Sequence, residues 1–276
     1  MPPFTPSRAQ CAVVVPIYRE RLSAEEEFSL DYSLERMPGR AVYFAAPENL
    51  TLSRYEKRYP HGRFERFPSA HFESIEGYNR LLLTPSFYQR FASCEFALIL
   101  QTDALVLRDE LDHWCSQPFD WIGAPWPGGQ MLTLSAAPYS PEHPKRIQTH
   151  VGNGGLSLRH IDASLRLLSE FPAVISEFLA RGWNEDLFFG LLGTQSAAFR
   201  LPHECLASRF ALELEPERYF LRNQATLPMG AHAWGRYNMP FWVSHLEQPL
   251  PASIPVRPAA SGKPRSLWKR FLGRAK

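Results

Sequence analysis

Apolar runs typical of strands alternate with amphipathic segments along most of the chain. Residues 11–18 (CAVVVPIY) and residues 95–100 (EFALIL) have the character of buried parallel strands. Between these two strands, Ser23-Ala-Glu-Glu26 has the form of a capping box and predicts a helix that ends near residue 37. Another strand is predicted directly after this helix, at residues 40–46. This β-α-β beginning is typical of a Rossmann-like sheet.

The same alternation continues to about residue 240. Further strands are predicted at residues 121–124 and 154–158, and helices at residues 76–83, 84–91, 108–115, 161–169, 172–181, 184–192 and 202–210. Residues 125–150 hold five prolines and two glycines, so we expect a long irregular loop that covers or lines a binding site. The pattern predicts a single-domain α/β/α sandwich with a mostly parallel central sheet.

Length and composition are compatible with one large globular domain, because the chain has 276 residues of which 45% are hydrophobic. We expect a flexible arm at residues 1–10, the domain at residues 11–248, and a Pro-rich linker with a basic tail at residues 249–276. The four cysteines are scattered without CxxC spacing, which disfavours a structural zinc site and a disulfide framework. With no signal peptide or membrane-spanning run in sight, we expect a cytoplasmic protein.

Charge is distributed unevenly along the chain. The net charge is +2, but residues 257–276 carry seven basic and no acidic residues, which leaves about −5 for the rest. A mildly acidic body disfavours nucleic-acid binding. In the tail, Leu267, Trp268, Phe271 and Leu272 share one helical face flanked by basic residues. This pattern predicts a peripheral helix on an anionic membrane surface, and the alternative is a solvated tail without fixed structure.

Two segments in the middle of the chain carry polar residues next to predicted strands. Gln101-Thr102-Asp103 ends the strand at 95–100, where open α/β sheets build ligand sites, although Asp103 there can also simply cap the next turn. Asn153-Gly154-Gly155 opens the strand at 154–158 and lets the backbone approach a ligand, although Asn-Gly is also common in tight turns.

Two later segments add acidic and imidazole groups. Glu185 and Asp186 are adjacent carboxylates in an apolar frame, which favours a general base with a shifted pKa. Acidic residues at a helix N-terminus are also favoured by the helix dipole alone. His232 follows Gly230, and a lone histidine of this kind is more often structural than a metal ligand.

The four segments, in this order, resemble the motifs of GT-A glycosyltransferases. More narrowly, the chain is similar over about residues 10–245 to a largely uncharacterised bacterial and fungal family of GT-A-like domains. The stretches that carry the resemblance are IEGYNRL (75–81), LILQTDA (98–104), DWIGAPW (120–126), GNGGLSLR (152–159) and NEDLFF (184–189). The combination of IGAPW with GNGGxSLR is the most specific part.

The resemblance implies transfer of a sugar from a nucleotide-diphosphate sugar, with a UDP-sugar favoured, to a hydroxyl of a glycan or lipid-linked acceptor in cell-surface polysaccharide synthesis. The residues implied for the donor nucleotide are Pro16, Tyr18, Ser74, Tyr78, Asn79, Gln101, Thr102 and Asp103. Those implied for the sugar and the acceptor are Trp126, Asn153, Gly154, Gly155 and Trp183. Asp186 is expected to be the catalytic base, with Glu185 as the alternative.

A divalent cation, Mn²⁺ or Mg²⁺, is implied at Asp103 and His232. Gln101 stands where the usual DxD motif has its first acid, so the site would be sparse. Such cations commonly keep several waters and take phosphate oxygens as ligands, which makes one or two protein ligands sufficient.

Two other classes of protein remain as alternatives. A non-catalytic sugar- or nucleotide-binding module would keep Trp126 and the glycines but would not need Glu185 and Asp186. A metal-dependent hydrolase of sugar or phosphate esters would need more acids and histidines near Asp103. The transferase hypothesis requires all four segments to surround one cavity large enough for a diphosphate.

Overall fold

A six-stranded sheet forms the centre of the protein, whose computed structural model describes residues 9–258. In spatial order its strands are β3 (Arg63–Phe67), β2 (Ala41–Pro47), β1 (Ala9–Pro16), β4 (Cys94–Leu100), β9 (Leu156–His160) and β6 (Trp121–Gly123). The first four are parallel, and β9 runs antiparallel to both of its neighbours. The prediction of a mostly parallel central sheet is confirmed.

Helices cover both faces of this sheet because alternate residues of its strands point to opposite sides. Val13 and Val15 of β1 pack towards one layer, and Ala12 and Val14 towards the other. The first layer consists of α1 (Ala24–Glu35), α2 (Ser53–Arg58), α5 (Leu111–Cys115) and α9 (Glu204–Phe210). The second consists of α3 (Ile75–Leu82), α4 (Pro85–Gln89), α6 (Ile161–Glu170), α7 (Pro172–Arg181) and α8 (Glu185–Gly193).

The predicted start of α1 is confirmed in detail. Ser23 accepts from the backbone N–H of Glu26, and the Glu26 carboxylate accepts from the backbone N–H of Ser23, so both halves of the capping box are formed. A short 3₁₀ turn at Ser69–His71 precedes α3.

A small second sheet lies beyond the end of β4. It joins β5 (Leu105–Val106), β11 (Gly230–Ala231) and β10 (Ala211–Leu212), and the short helices α10 (Pro216–Arg222) and α11 (Met239–Val243) follow. β10 and β11 are parallel, with Leu212 opposite Ala231. Glu213 directly follows β10 and His232 directly follows β11, so the pairing of the two strands brings these two side chains together.

The prediction of an irregular loop at residues 125–150 is wrong. Most of this segment is an antiparallel hairpin, β7 (Pro125–Leu134) and β8 (Lys145–Val151). The alternation of buried Ile147, Thr149 and Val151 with exposed residues marks β8 as a half-buried strand. The prolines are tolerated because two lie in the irregular first part of β7 and the other three in the connection between the strands.

The segment predicted as a linker begins with residues that pack on the domain. Ile254 is buried in an apolar cluster with Trp234, Met239 and Trp242. The predicted arm up to residue 8 and the basic tail from residue 259 lie outside the described residues. Between residues 9 and 258, no helix combines the length and apolar character needed to cross a bilayer.

Candidate active site

A cavity of about 1200 Å³ opens at the carboxyl ends of β1 and β4. Its walls come from the residues after these strands, the first turns of α3 and α8, the hairpin, and the loops after β10 and β11. Every residue assigned to the site from the sequence lines this cavity, from Pro16 to His232. Pockets for one small ligand measure roughly 300–1,000 Å³, so this cavity has room for more than one small molecule.

His232 lies at the centre of a charged group on one wall. Its Nε2 is 3.4 Å from Oδ1 of Asp103 and 3.2 Å from Oε1 of Gln101. On the other side of the ring, Nδ1 is 3.1 Å from Oε1 of Glu213, without the alignment of a hydrogen bond. Burial lowers the pKa of His232, but the two carboxylates outweigh burial and raise it to about 10. In return, His232 overcomes the effect of burial on Asp103 and lowers the pKa of that carboxyl.

Gly154 and Gly155 are needed because site side chains occupy the space beside them. A Cβ on Gly155 would lie 2.0 Å from Nε2 of His232. A Cβ on Gly154 would lie 2.9 Å from Oε1 of Glu185 and 3.0 Å from Cβ of Asp186. The glycine-rich segment therefore brings the backbone close to the candidate catalytic groups themselves.

Gly155→Ala is accordingly expected to displace the His232 ring. If the site holds Mn²⁺ and UDP, as the sequence resemblance implies, this variant weakens their binding at least tenfold, measured by calorimetry. Gly39→Ala is the control: Gly39 has a left-handed φ of 78°, so an alanine there is strained, but its new Cβ would have no atom within 4 Å. Both variants lose stability, but only Gly155→Ala loses affinity. Equal affinity in the two variants would show that the His232 position does not matter for binding.

The Asn153 side chain connects this segment to Glu213. Its Nδ2 donates to Oε2 of Glu213 at 2.9 Å, and its Oδ1 accepts from the backbone N–H of Gly155 at 3.2 Å. Asn153 is buried, so its amide shapes the cavity wall by holding Glu213 beside His232. Glu213 was not identified from the sequence, since only the pairing of β10 with β11 reveals its position.

Glu185 is committed to a buried ion pair with Arg159. Nη2 of Arg159 donates to Oε1 of Glu185 at 2.8 Å, and Arg159 is fully buried. The same guanidinium donates to the hydroxyl of Tyr88 at 3.0 Å and lies 4.0 Å above the ring of Trp121. Sequence reasoning missed Arg159, although it is the last residue of the GNGGLSLR stretch.

Asp186 has a different environment. Its carboxyl group accepts from the backbone N–H of Gly154 at 3.2 Å and of Leu187 at 2.8 Å. Burial and the negative charge of Glu185 together raise its pKa to about 8. The two neighbouring carboxyl groups thus differ: Glu185 is ion-paired with an arginine, whereas the pKa of Asp186 lies near neutral pH.

The wall on the side of β1 is organised by Glu26. This carboxylate accepts from Thr102 Oγ1 at 2.9 Å and from Arg19 Nη2 at 2.5 Å, in addition to the Ser23 cap. Thr102 therefore fixes the end of β4 to the start of α1 through Glu26. Tyr18 keeps 49% of its surface exposed beside this group and offers a ring to the cavity.

The first turn of α3 is also built into the cavity wall. Ser74 caps the helix by accepting from the backbone N–H of Gly77 at 3.0 Å. The Asn79 amide accepts from the backbone N–H of Glu185 at 3.3 Å and donates to Asn184 at 3.1 Å, so it joins α3 to α8. Burial raises the pKa of Tyr78 well above its usual range.

The two predicted aromatic walls differ in exposure. Trp126 is only 6% exposed and its ring packs against Gly152 and Gly190. Trp183 is partly exposed, lies edge-on to Phe178, and has the Arg181 guanidinium 5.2 Å from its ring centre. Trp183 is therefore the ring with more surface available for a sugar.

Arg236 adds a positive charge that sequence reasoning missed. It lines the cavity four residues after His232, and its guanidinium contributes to the lowered pKa of Asp103. Within residues 9–258 it forms no ion pair with a carboxylate. A cation of this kind in a cavity suits an anionic ligand such as a diphosphate.

The residues at the end of β4 fit a sparse divalent cation site. The 3.4 Å between Nε2 of His232 and Oδ1 of Asp103 allows both atoms to bind one cation once the imidazole has released its proton, and the Gln101 amide oxygen lies beside them. Glu213 on the far side of the ring is placed as a support for a ligating imidazole. Among residues 9–258 no cluster of three or more histidine, cysteine or acidic ligands occurs, so further ligands would be phosphate oxygens and water.

One solved structure shows the fold class of this chain, and a second is a weaker match. The crystal structure of an active-site mutant of LgtC matches with a TM-score of 0.52 and 15% identity, over 82% of this chain and 88% of that chain. Core-mannan synthase A (CmsA/Ktr4) from Aspergillus fumigatus, in its Mn/GDP form, matches with a TM-score of 0.43 and 9% identity, over 67% of this chain and 70% of that chain. The predicted GT-A-type fold is confirmed.

The sequence itself belongs to the family described as "Protein of unknown function (DUF5672)", whose model matches residues 61–232. The matched segment contains the cavity residues from Ser74 to His232. No curated protein matches the sequence significantly.

Proposed function

We propose that this protein is a glycosyltransferase that moves a sugar from a nucleoside-diphosphate sugar to a hydroxyl group of a glycan or lipid-linked acceptor. The observation that carries the proposal is the single cavity in which Asp103, His232 and Asp186 meet at the carboxyl ends of the parallel strands. The fold shared with LgtC supports it. A UDP-sugar is the favoured donor, on the sequence resemblance alone.

Transfer of a sugar releases a diphosphate, and negative charge builds on that group as the bond to the sugar breaks. Asp103 and His232 would hold a divalent cation, Mn²⁺ or Mg²⁺, that neutralises this charge. The Arg236 guanidinium reaches the same part of the cavity and supplies a second positive charge from the protein. The leaving group is thereby bound at the end of β4, where the DxD-like motif was predicted.

The attacking hydroxyl must lose a proton, and Asp186 is the group suited to accept it. Its pKa of about 8 makes it a stronger base than an ordinary carboxylate. Glu185, the alternative base, is held in an ion pair by Arg159, and its negative charge helps to raise the pKa of Asp186. A tuned carboxyl group in the cavity also favours an enzyme over a non-catalytic binding module.

A thermal-shift screen of nucleoside diphosphates and nucleotide-sugars, with and without Mn²⁺, tests the proposal. We expect one nucleotide class to raise the melting temperature, more strongly with Mn²⁺ than without, because a ligand that binds only the folded state stabilises it. Asp103→Asn serves as the control and should lose the dependence on Mn²⁺. If no nucleotide stabilises the protein under either condition, the transferase proposal is wrong.

We further propose a peripheral position on the cytoplasmic face of a membrane, where polysaccharide acceptors are assembled. The support is the apolar face and basic flank of residues 266–274 in the sequence. Removing residues 259–276 is expected to abolish sedimentation with vesicles of anionic lipid. Vesicles of neutral lipid are the control, and equal sedimentation of the full and shortened chains with anionic vesicles would refute this location.

A further inference from the structure

The last described residues return to the loop that carries His232 and Arg236. Ile254 is buried beside Trp234, and the backbone N–H of Arg257 reaches the sulfur of Met239 at 3.4 Å. The chain therefore runs across the outer side of the loop after β11 before residue 258.

Arg257 binds this loop at one backbone atom. Its Nε and Nη2 donate to the carbonyl oxygen of Gly235 at 3.0 and 2.6 Å. Nη2 also pairs at 2.6 Å with Oε2 of Glu25, in the first turn of α1. Gly235 is buried, and no other hydrogen-bond donor within residues 9–258 reaches its carbonyl. We call Arg257, Glu25 and Gly235 the Arg257 latch.

The loop has two features that require such support. Ala233 has a left-handed φ of 47°, which is unfavourable for alanine and persists only where surrounding contacts fix it. Gly235 packs so closely that an added Cβ would lie 2.0 Å from Oε1 of Glu25 and 2.6 Å from Nη2 of Arg257. Glu25 and Arg257 thus contact the loop at Gly235 so closely that a larger residue would not fit there.

We propose that Arg257 is a positioning residue for the donor site: it fixes the turn at Gly235 so that His232 and Arg236, on either side of it, face the cavity. Because Arg257 is half-exposed, its attraction to Glu25 is weakened by solvent, and the bonds to the buried Gly235 carbonyl carry the effect. The inference rests on the proposed function, since the ligand that His232 and Arg236 face is taken to be a diphosphate.

Arg257→Ala and Arg257→Lys in the full-length chain test this inference. We expect Arg257→Ala to weaken binding of UDP with Mn²⁺ about tenfold, measured by calorimetry, which corresponds to about 1.4 kcal/mol. Amide hydrogen exchange at residues 232–236 is expected to become faster. Arg257→Lys keeps the charge opposite Glu25 but lacks the planar guanidinium, and is expected to rescue neither property.

Glu247→Ala is the matched control. Glu247 pairs with Arg36 at 2.8 Å and also ties the C-terminal part of the domain to α1, without contacting Gly235. We expect this variant to bind UDP with Mn²⁺ as the wild type does. If Arg257→Ala does not fold, Glu25→Gln replaces it, with a smaller change in the same direction.

The inference is wrong if the Arg257 variants bind UDP with Mn²⁺ as tightly as the wild type and show the same amide hydrogen exchange at residues 232–236. It is also wrong if Glu247→Ala weakens binding of UDP as much as Arg257→Ala does. If the wild type itself does not bind UDP with Mn²⁺, the proposed donor class is wrong. Amide hydrogen exchange at residues 232–236 then tests by itself whether Arg257 fixes the loop.

Discussion

Asp186→Asn is expected to lower kcat by about 10²–10⁴-fold, because the variant cannot accept the proton of the acceptor hydroxyl. Binding of UDP with Mn²⁺ is expected to remain close to that of the wild type, since Asp186 lies beside Glu185 and Gly154 and not at the group of Asp103 and His232. Turnover is measured as release of the nucleoside diphosphate from the donor sugar in the presence of acceptor.

The pH dependence distinguishes a base from a merely structural group. The pKa of Asp186 is raised to about 8, so the reactive, ionised form accumulates as the pH rises towards 8. Wild-type kcat/KM should rise over this range, and the small residual rate of Asp186→Asn should not. Full turnover in Asp186→Asn, or a wild-type rate that is flat from pH 6 to pH 8, would exclude Asp186 as the base.

Stability supplies a control for the same variant. An unfolded chain releases the proton of an aspartate near pH 4, whereas folded Asp186 keeps it up to about pH 8. Folding therefore becomes less favourable as the pH rises between these values, and the Asn variant should lack this loss. We expect Asp186→Asn to melt no lower than the wild type at pH 8, so a loss of turnover does not result from unfolding.

Arg159→Met is expected to lower the free energy of unfolding by about 3–5 kcal/mol, because it leaves the buried Glu185 carboxylate without its partner. The loss is measured by urea denaturation at neutral pH. Arg58→Met is the matched control: Arg58 also pairs with an acid, Asp31, but both side chains are partly exposed, and such pairs contribute about 0–1 kcal/mol.

A double variant, Arg159→Met with Glu185→Leu, separates the lost partner from lost packing. Replacing both charges by apolar side chains removes the unpaired carboxylate, so much of the stability should return. If Arg159→Met alone is as stable as the wild type, the ion pair does not hold the start of α8. If the double variant is no better than the single one, the packing of Arg159 on Trp121 accounts for the effect.

The sequence pattern could predict a residue's role where that role depends on residues close to it in the chain. Asp103 follows an apolar run, and the carboxyl end of such a strand is a ligand site in any open α/β sheet. The cap of α1 was predictable for the same reason, since Ser23 and Glu26 are one turn apart. The family resemblance added the order of the later segments, and the structure brings them to one cavity.

The residues that were missed depend on contacts between distant parts of the chain. Glu213 is 60 positions from Asn153, and Arg257 is 232 positions from Glu25, so neither pairing has a local signal. The different roles of Glu185 and Asp186 arise from Arg159, which lies 26 positions from Glu185. The hairpin was missed because the prediction for residues 125–150 rested on five prolines and two glycines, although Lys145–Val151 alternates as a half-buried strand does.

The most direct test of the central claim is a crystal structure of the protein with Mn²⁺ and the nucleoside diphosphate that stabilises it most. We predict that the diphosphate lies at the end of β4, with the cation on Asp103 and His232 and the Arg236 guanidinium on a phosphate oxygen. A nucleotide bound outside the cavity, or bound inside it away from Asp103 and His232, would contradict the account.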